Sequence, residues 1–221
     1  MNTAVASTRP IAQLWIEFLA LFVGVPVAMY IWFDWIQERR LLFGLIWMLA
    51  IIAFALLLRT PGWHPRDLLK GPVFAKWPMI LLFTVLTGAV STGFVFAIEP
   101  SMFLSFVQSN PVMWMIVMVF YPLLSAWPQE VIYRSLFFER YGVLFASPVV
   151  LIIANGALFG FGHLFYINWI TITMTAFGGA FMGWVYWRYR SMLLAWVIHA
   201  IAGQIVFTAG LGRYFYSGAV N

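Results

Sequence analysis

The sequence predicts an all-α fold, a polytopic membrane helix bundle with about seven transmembrane helices. Three observations carry that prediction. Of the 221 residues, 64% are hydrophobic and 9% are charged, whereas a soluble domain averages about a quarter charged because its surface faces water. The apolar residues come in runs near the ~20 needed for one bilayer crossing. Aromatic residues with a polar handle crowd the predicted ends, among them Trp35, Trp77, Tyr166, Trp169, Trp184, Tyr186, Trp187 and Tyr189, as interfacial belts do.

The helices are placed at 11–33, 41–58, 77–98, 112–141, 148–166, 169–187 and 191–212. The first run, Ile11 to Phe33, exceeds an ordinary signal core and has no clear cleavage site, so it reads as a retained span. A turn-rich loop that includes Pro61-Gly62 and Gly71-Pro72 separates the second helix from the third. The fourth segment is too long for one simple crossing, and Pro122 and Pro128 are expected to kink or divide it. Ser147-Pro148 starts the fifth helix, with serine as cap and proline in the first turn. Gly156 with Gly160, and Gly179 with Gly183, lie four apart and let the fifth and sixth helices approach closely. The chain divides into helices one to three with their loops (1–111) and a core of helices four to seven (112–221).

Lys and Arg fall unevenly on alternate sides. One side holds Arg9, Arg59, Arg66, Lys70, Lys76, Arg140, Arg188 and Arg190, and the other holds Arg39, Arg40 and Arg213. The positive-inside rule therefore places the N-terminus in the cytoplasm and the C-terminus outside. Scattered beside apolar runs, these residues are topology determinants, and the net charge of +5 implies no nucleic-acid partner. The absence of cysteine excludes disulfides and thiolate metal sites, so any metal needs His, carboxylate or amide ligands.

Five ionisable side chains fall inside the spans: Glu17, Glu130, Arg134, His163 and His199. An unpaired Asp, Lys or Arg at a helix centre costs about 2.5–3.5 kcal/mol on insertion scales, so such residues are functional candidates. Glu17 is early enough in its helix to be wetted, and His64 belongs to the loop. Glu130 and Arg134, four apart, share a helix face and can form a structural ion pair. His163 and His199 come from separate helices, as in metal sites built inside bundles. With a carboxylate or amide, two neutral imidazoles can hold a divalent ion such as zinc with one position open for water, and a nearby Glu can serve as base. The chemistry available is metal-assisted hydrolysis of a peptide bond close to the bilayer.

These residues resemble the CAAX-protease and bacteriocin-processing family of intramembrane proteases, whose last four helices carry Glu-Glu-x-x-x-Arg, Phe-x-x-x-His and His-x-x-x-Asn. Here W-P-Q-E-V-I-Y-R supplies Gln129, Glu130 and Arg134; F-G-F-G-H supplies Phe159 and His163; H-A-I-A-G supplies His199 and Gly203. The resemblance covers roughly 112–212 and implies a plasma-membrane protein. It implies an intramembrane metalloendopeptidase acting on a membrane-embedded or lipidated peptide or protein substrate, with Glu130, Gln129, His163, His199 and Arg134 catalytic and His163, His199 and Glu130 binding a divalent metal, zinc by preference. Two departures stand out. Gln129 replaces the family's water-activating glutamate and cannot accept a proton, and Gly203 replaces an asparagine. Gln204 is the amide nearest Gly203 but lies about 140° round the helix from His199, and Asn155, two helical turns before His163, is the candidate to replace the missing amide.

The departures leave three explanations: Glu130 has taken over as base, the chain is an inactive binding or immunity protein, or Gln129 is an introduced change. Two other classes fit less well. A haem carrier would use the two histidines axially but gives Glu130 and Arg134 no role. A transporter would show broken helices in two related halves.

Overall fold

The computed structural model describes residues 10–38 and 40–215, which form helices and turns without a strand among them. In order they are α1 (Ile11–Ile31), α2 (Phe33–Glu38), α3 (Leu42–Leu58), α4 (Trp77–Ile98), α5 (Ser105–Ser109), α6 (Pro111–Leu144), α7 (Pro148–Phe161), α8 (Trp169–Tyr189) and α9 (Met192–Ala209). Arg9 and Arg39, counted in the charge asymmetry, lie outside the described residues. By length and composition, five helical stretches suffice to cross a bilayer: those containing α1, α4, α6, α7 and α9. The sequence reading counts seven. Its second span, α3, is apolar but has 17 residues, and its sixth, α8, has 21 but dilutes its apolar side chains with threonine and glycine.

Local sequence sets the helix starts. Ser147 Oγ accepts from the Val150 N–H at 3.3 Å with Pro148 in the first turn. Asn110, Asn168 and Ser191 cap α6, α8 and α9 in the same way. These side chains satisfy N–H groups that a first turn leaves without partners.

The outer surface is apolar. Leu81, Leu82, Val85, Leu86 and Val90 of α4 are exposed, as are Val112, Met115, Ile116, Val119 and Leu123 of α6. In water this face would be an aggregation surface; in a bilayer it is solvated by acyl chains. Inside, Leu14, Phe18 and Phe22 of α1 pack with Leu57 of α3 and with Leu136, Phe137 and Tyr141 of α6. A second cluster joins Phe159 of α7 to Met182 and Val185 of α8 and to Leu194 and Ile198 of α9. Lipid tails are as apolar as these side chains, so close packing and interhelical hydrogen bonds do most of the holding.

The glycine pairs make the closest seam. A Cβ on Gly156 would lie 2.6 Å from the Ala180 Cβ and 2.7 Å from the Ala176 carbonyl oxygen. One on Gly179 would lie 2.7 Å from the Phe159 Cβ. The small residues of α7 and α8 therefore face each other, as the spacing predicts.

α6 is not divided by its prolines. It runs for 34 residues, about 51 Å at 1.5 Å per residue, with π-helical turns at Pro122–Ala126 and Val131–Leu136. A proline has no N–H, so Pro122 and Pro128 orphan the carbonyls one turn earlier, at Met118 and Leu124. Neighbouring helices fill both gaps. Gln204 Nε2 of α9 donates to the Met118 carbonyl at 2.9 Å, and Trp47 Nε1 of α3 donates to the Leu124 carbonyl at 3.2 Å. Trp196 Nε1 adds a 2.7 Å bond to the Pro122 carbonyl. The prolines thus become three attachment points.

Glu17 is partly wetted, as its position suggests, but it is also paired. Its Oε2 accepts from Arg140 Nε at 2.8 Å and Nη2 at 2.7 Å, while Arg140 Nη1 reaches Thr60 Oγ1 at 3.3 Å. This network joins α1 and α6 to the end of α3.

Candidate active site

The second π-turn of α6 shapes the first motif. Gln129 and Glu130 end the short α-helical stretch before it, and Arg134 lies within it. Such turns are frequent at functional sites because they rotate side chains off the regular helical register. Arg134 Nε lies 3.1 Å from Glu130 Oε2, and both side chains are fully buried. The contact satisfies ion-pair distance but not hydrogen-bond alignment, since neither atom forms a well-directed hydrogen bond. Arg134 is held from its other end by Nη1, which donates to Asn155 Oδ1 at 2.8 Å, and its guanidinium stacks 5.0 Å from the Phe159 ring centroid. Asn155 in turn donates from Nδ2 to the Tyr133 carbonyl at 2.7 Å. It braces the arginine and does not stand in for an amide at the cavity.

The two histidines are oriented alike by different partners. His199, near the middle of α9, shares its Nδ1 proton with Glu130 Oε1 at 2.8 Å. His163 lies within the Pro148–Tyr166 span but past the end of α7 itself, in the turn to Leu164–Tyr166. The last turn of a helix leaves carbonyls unpaired, and His163 Nδ1 takes one of them, the Phe159 oxygen, at 2.7 Å. A carbonyl oxygen only accepts, so Nδ1 carries the proton there. Neither Nε2 has a protein partner among the described residues. The Phe159 ring separates the imidazoles, its centroid 4.8 Å from that of His163 and 5.5 Å from that of His199.

Both rings border a cavity of about 470 Å³. Its wall is mostly apolar, built from α6, α8 and α9, with Gln129, Ser125, Tyr121 and Thr175 among its few polar residues. A second cavity of about 90 Å³ lies towards α1 and α3 and shares Ser125, Gln129 and His163 with the first. Gln129 Nε2 donates to Ser125 Oγ at 3.0 Å, leaving Oε1 buried without a partner. Glu130 and Arg134 are on neither wall.

A family model described as Type II CAAX prenyl endopeptidase Rce1-like matches residues 111–203. Over that segment the chain is similar to this family. No curated protein and no solved structure matches the chain. The Rce1-like segment spans α6 to the middle of α9 and so contains every residue that the sequence reading assigned to the site.

Four of those five residues form one connected cluster, Arg134–Glu130–His199 and, across Phe159, His163. Gln129 stands beside it on the cavity wall. The Rce1-like segment does not present His163, His199 and Glu130 as three free ligands, because both Glu130 oxygens already face protein partners. Among the described residues, no group of three His, Cys, Asp or Glu is disposed to hold a metal ion.

Sequence reasoning missed Tyr121. A Cβ on Gly203 would overlap the Tyr121 ring and its hydroxyl. The one hint was Gly203 itself: a glycine one turn from His199, on the same helix face, invites a large side chain from a neighbouring helix.

Proposed function

We propose that the chain is an intramembrane endopeptidase of the CAAX type, hydrolysing a peptide bond of a membrane-embedded or lipidated substrate. The observation that carries this reading is the pair of imidazoles whose Nδ1 atoms are engaged and whose Nε2 atoms are free beside one apolar cavity. Histidines that bind a metal or a reacting group are commonly held in this way, by a carboxylate or a backbone carbonyl. The family description adds CAAX-type activity and a prenylated substrate, and a mostly apolar cavity of about 470 Å³ suits a lipid chain lying beside the scissile bond.

A divalent ion, zinc by preference, would be held by the two free imidazole nitrogens, with the unpartnered carbonyl oxygen of Gln129 as the nearest further donor type. When bound there, the ion would supply Lewis acidity to water in the cavity. The chain's own groups have separate tasks. Arg134 holds Glu130 in place; Glu130 keeps His199 turned with Nε2 outward; the Phe159 carbonyl does the same for His163. Gln129 cannot take a proton from water, and Glu130 is walled off from the cavity, so no carboxylate base stands on the cavity wall among the described residues. The Lys and Arg asymmetry supports an N-terminus in the cytoplasm, and the family likeness supports a plasma-membrane protein.

A second reading rests on Gln129 and Gly203, which stand where the family has a carboxylate and an amide: an inactive member acting as a membrane binding or immunity protein.

The test combines elemental analysis of detergent-purified protein with cleavage of a farnesylated C-terminal peptide in liposomes. We expect about one zinc or similar ion per chain, lost in folded His163→Ala and His199→Ala variants, and cleavage that both variants lack. Cleavage without metal would remove the ion and leave the peptidase. A folded protein that cleaves nothing, with or without added zinc, would refute the peptidase reading in favour of the binding protein.

A further inference from the structure

Tyr121 belongs to α6, one residue before Pro122, and its half-buried ring borders the 470 Å³ cavity. The ring meets His199 edge-on at a centroid distance of 6.1 Å and Phe207 at 5.6 Å, which fixes its plane. It lies against the backbone of α9 at Gly203, so closely that no Cβ fits there. Gly203 is one turn from His199 and borders the same cavity. The phenol therefore occupies the place that a side chain at 203 would take. Its hydroxyl has no hydrogen-bond partner among the described residues. A phenolic O–H next to an apolar cavity and one helical turn from a free imidazole has one evident use: donating to an oxygen of the bound substrate.

We propose that Tyr121 is a catalytic residue, donating a hydrogen bond from its hydroxyl to the carbonyl oxygen of the scissile peptide. This rests on the peptidase reading above and adds a group to it. As the water oxygen bonds to the carbonyl carbon, the C=O π pair moves onto the oxygen, and the Tyr121 O–H stabilises that charge while keeping its proton. The C–N bond then breaks, the C=O re-forms, and the proton lost by the water ends on the departing amine. Two of the other cavity-wall donors are already engaged. Gln129 Nε2 is committed to Ser125, and the Thr175 hydroxyl is committed to the Thr171 carbonyl at 2.7 Å.

The test uses the full chain in liposomes with Tyr121→Phe, which removes one oxygen and leaves the ring packed on Gly203. With a farnesylated peptide substrate we expect kcat to fall about 100-fold or more, as for loss of one oxyanion donor, while KM stays within about threefold. Tyr121→Ala with Gly203→Asn, which exchanges the phenol for an amide on the facing helix, should recover activity above Tyr121→Ala alone.

A second readout needs no turnover. A farnesylated peptide whose scissile bond is replaced by a phosphinate presents the tetrahedral anion; one with a reduced CH2–NH bond presents no oxygen. The wild-type chain should bind the phosphinate about tenfold or more tightly than Tyr121→Phe does, in line with a hydrogen bond to a charged group, and the two should bind the reduced isostere alike. A wild-type chain that cleaves nothing yet shows this preference would sink the peptidase reading and leave Tyr121 as the oxygen donor. Equal phosphinate binding by wild type and Tyr121→Phe overturns the proposal, whether or not the wild type cleaves. So does a Tyr121→Phe variant with unchanged kcat.

Discussion

Removing Arg134 should cost more than removing both members of its pair. Glu130 and Arg134 are fully buried, and among the described residues the carboxylate's polar partners are Arg134 Nε at 3.1 Å and His199 Nδ1 at 2.8 Å. In Arg134→Met the carboxylate stays buried without its cation, which costs about 3–5 kcal/mol. Asn155 Oδ1 also loses the donor it holds at 2.8 Å, and an orphaned buried acceptor adds about 1–3 kcal/mol. Glu130→Gln alone leaves the guanidinium unpaired at a similar cost of about 3–5 kcal/mol. The double variant carries no buried charge, and the introduced glutamine still accepts from His199. Its expected cost is therefore only about 1–3 kcal/mol, from the Asn155 acceptor. The assay is unfolding in mixed micelles followed by tryptophan fluorescence and circular dichroism. The coupling should reach about 3 kcal/mol or more, beyond what neighbouring neutral contacts usually show. If the two single costs add to the double within about 0.5 kcal/mol, the pair is not a coupled buried ion pair and Arg134 has another role.

Gln129→Glu places a carboxylate on the cavity wall and should raise kcat of peptide cleavage by about 10²-fold or more, the usual worth of a general base; an unchanged rate would mean that side chain does not meet the water. Gly156→Ile drives a branched side chain into Ala176 and Ala180 and should cost about 1–3 kcal/mol or more of stability in the same micelles. Gln204→Leu strips the Met118 carbonyl of its donor at a cost of about 1–3 kcal/mol. Adding Pro122→Ala should recover most of that loss, because the backbone then supplies the missing N–H.

The spans, the Gly156–Gly160 seam and the Glu130–Arg134 pair were legible in the sequence because each rests on spacing along one or two helices. What was not legible depends on partners distant in sequence. Pro122 and Pro128 signal a break, yet the side chains that prevent one come from 82 residues later and 81 earlier, at Gln204 and Trp47. His163 reads as part of a continuous fifth helix because the apolar run continues past it, whereas α7 stops at Phe161 and its free Phe159 carbonyl turns the imidazole. Asn155 reads as a spare amide near the site, but Arg134 claims it. The two registers introduced by the π-turns decide which side chains reach the cavity, and no residue type announces a π-turn.

Gly203 illustrates how these long-range effects combine. Taken alone, it is a lost side chain. In the structure it belongs to a joint between α6 and α9, made of two neighbouring residues on one helix and a single turn of the other. Gln204 fastens the Met118 carbonyl that Pro122 has orphaned, and Gly203 receives Tyr121, the residue just before that proline. The hydrogen bond fixes the height of α6 against α9, and the glycine lets the ring lie flat enough to reach the cavity beside His199. Any side chain at 203 would push Tyr121 away while Gln204 still held the helix, so it would lose the phenol without regaining the space. The glycine is therefore a requirement of this arrangement. Gly203→Ala, the smallest such change, should reproduce most of the kcat loss of Tyr121→Phe even though it removes no polar atom, because a single methyl is enough to displace the ring. Wild-type kcat in a folded Gly203→Ala chain would show that α6 and α9 can part without consequence, and the joint would then be packing alone.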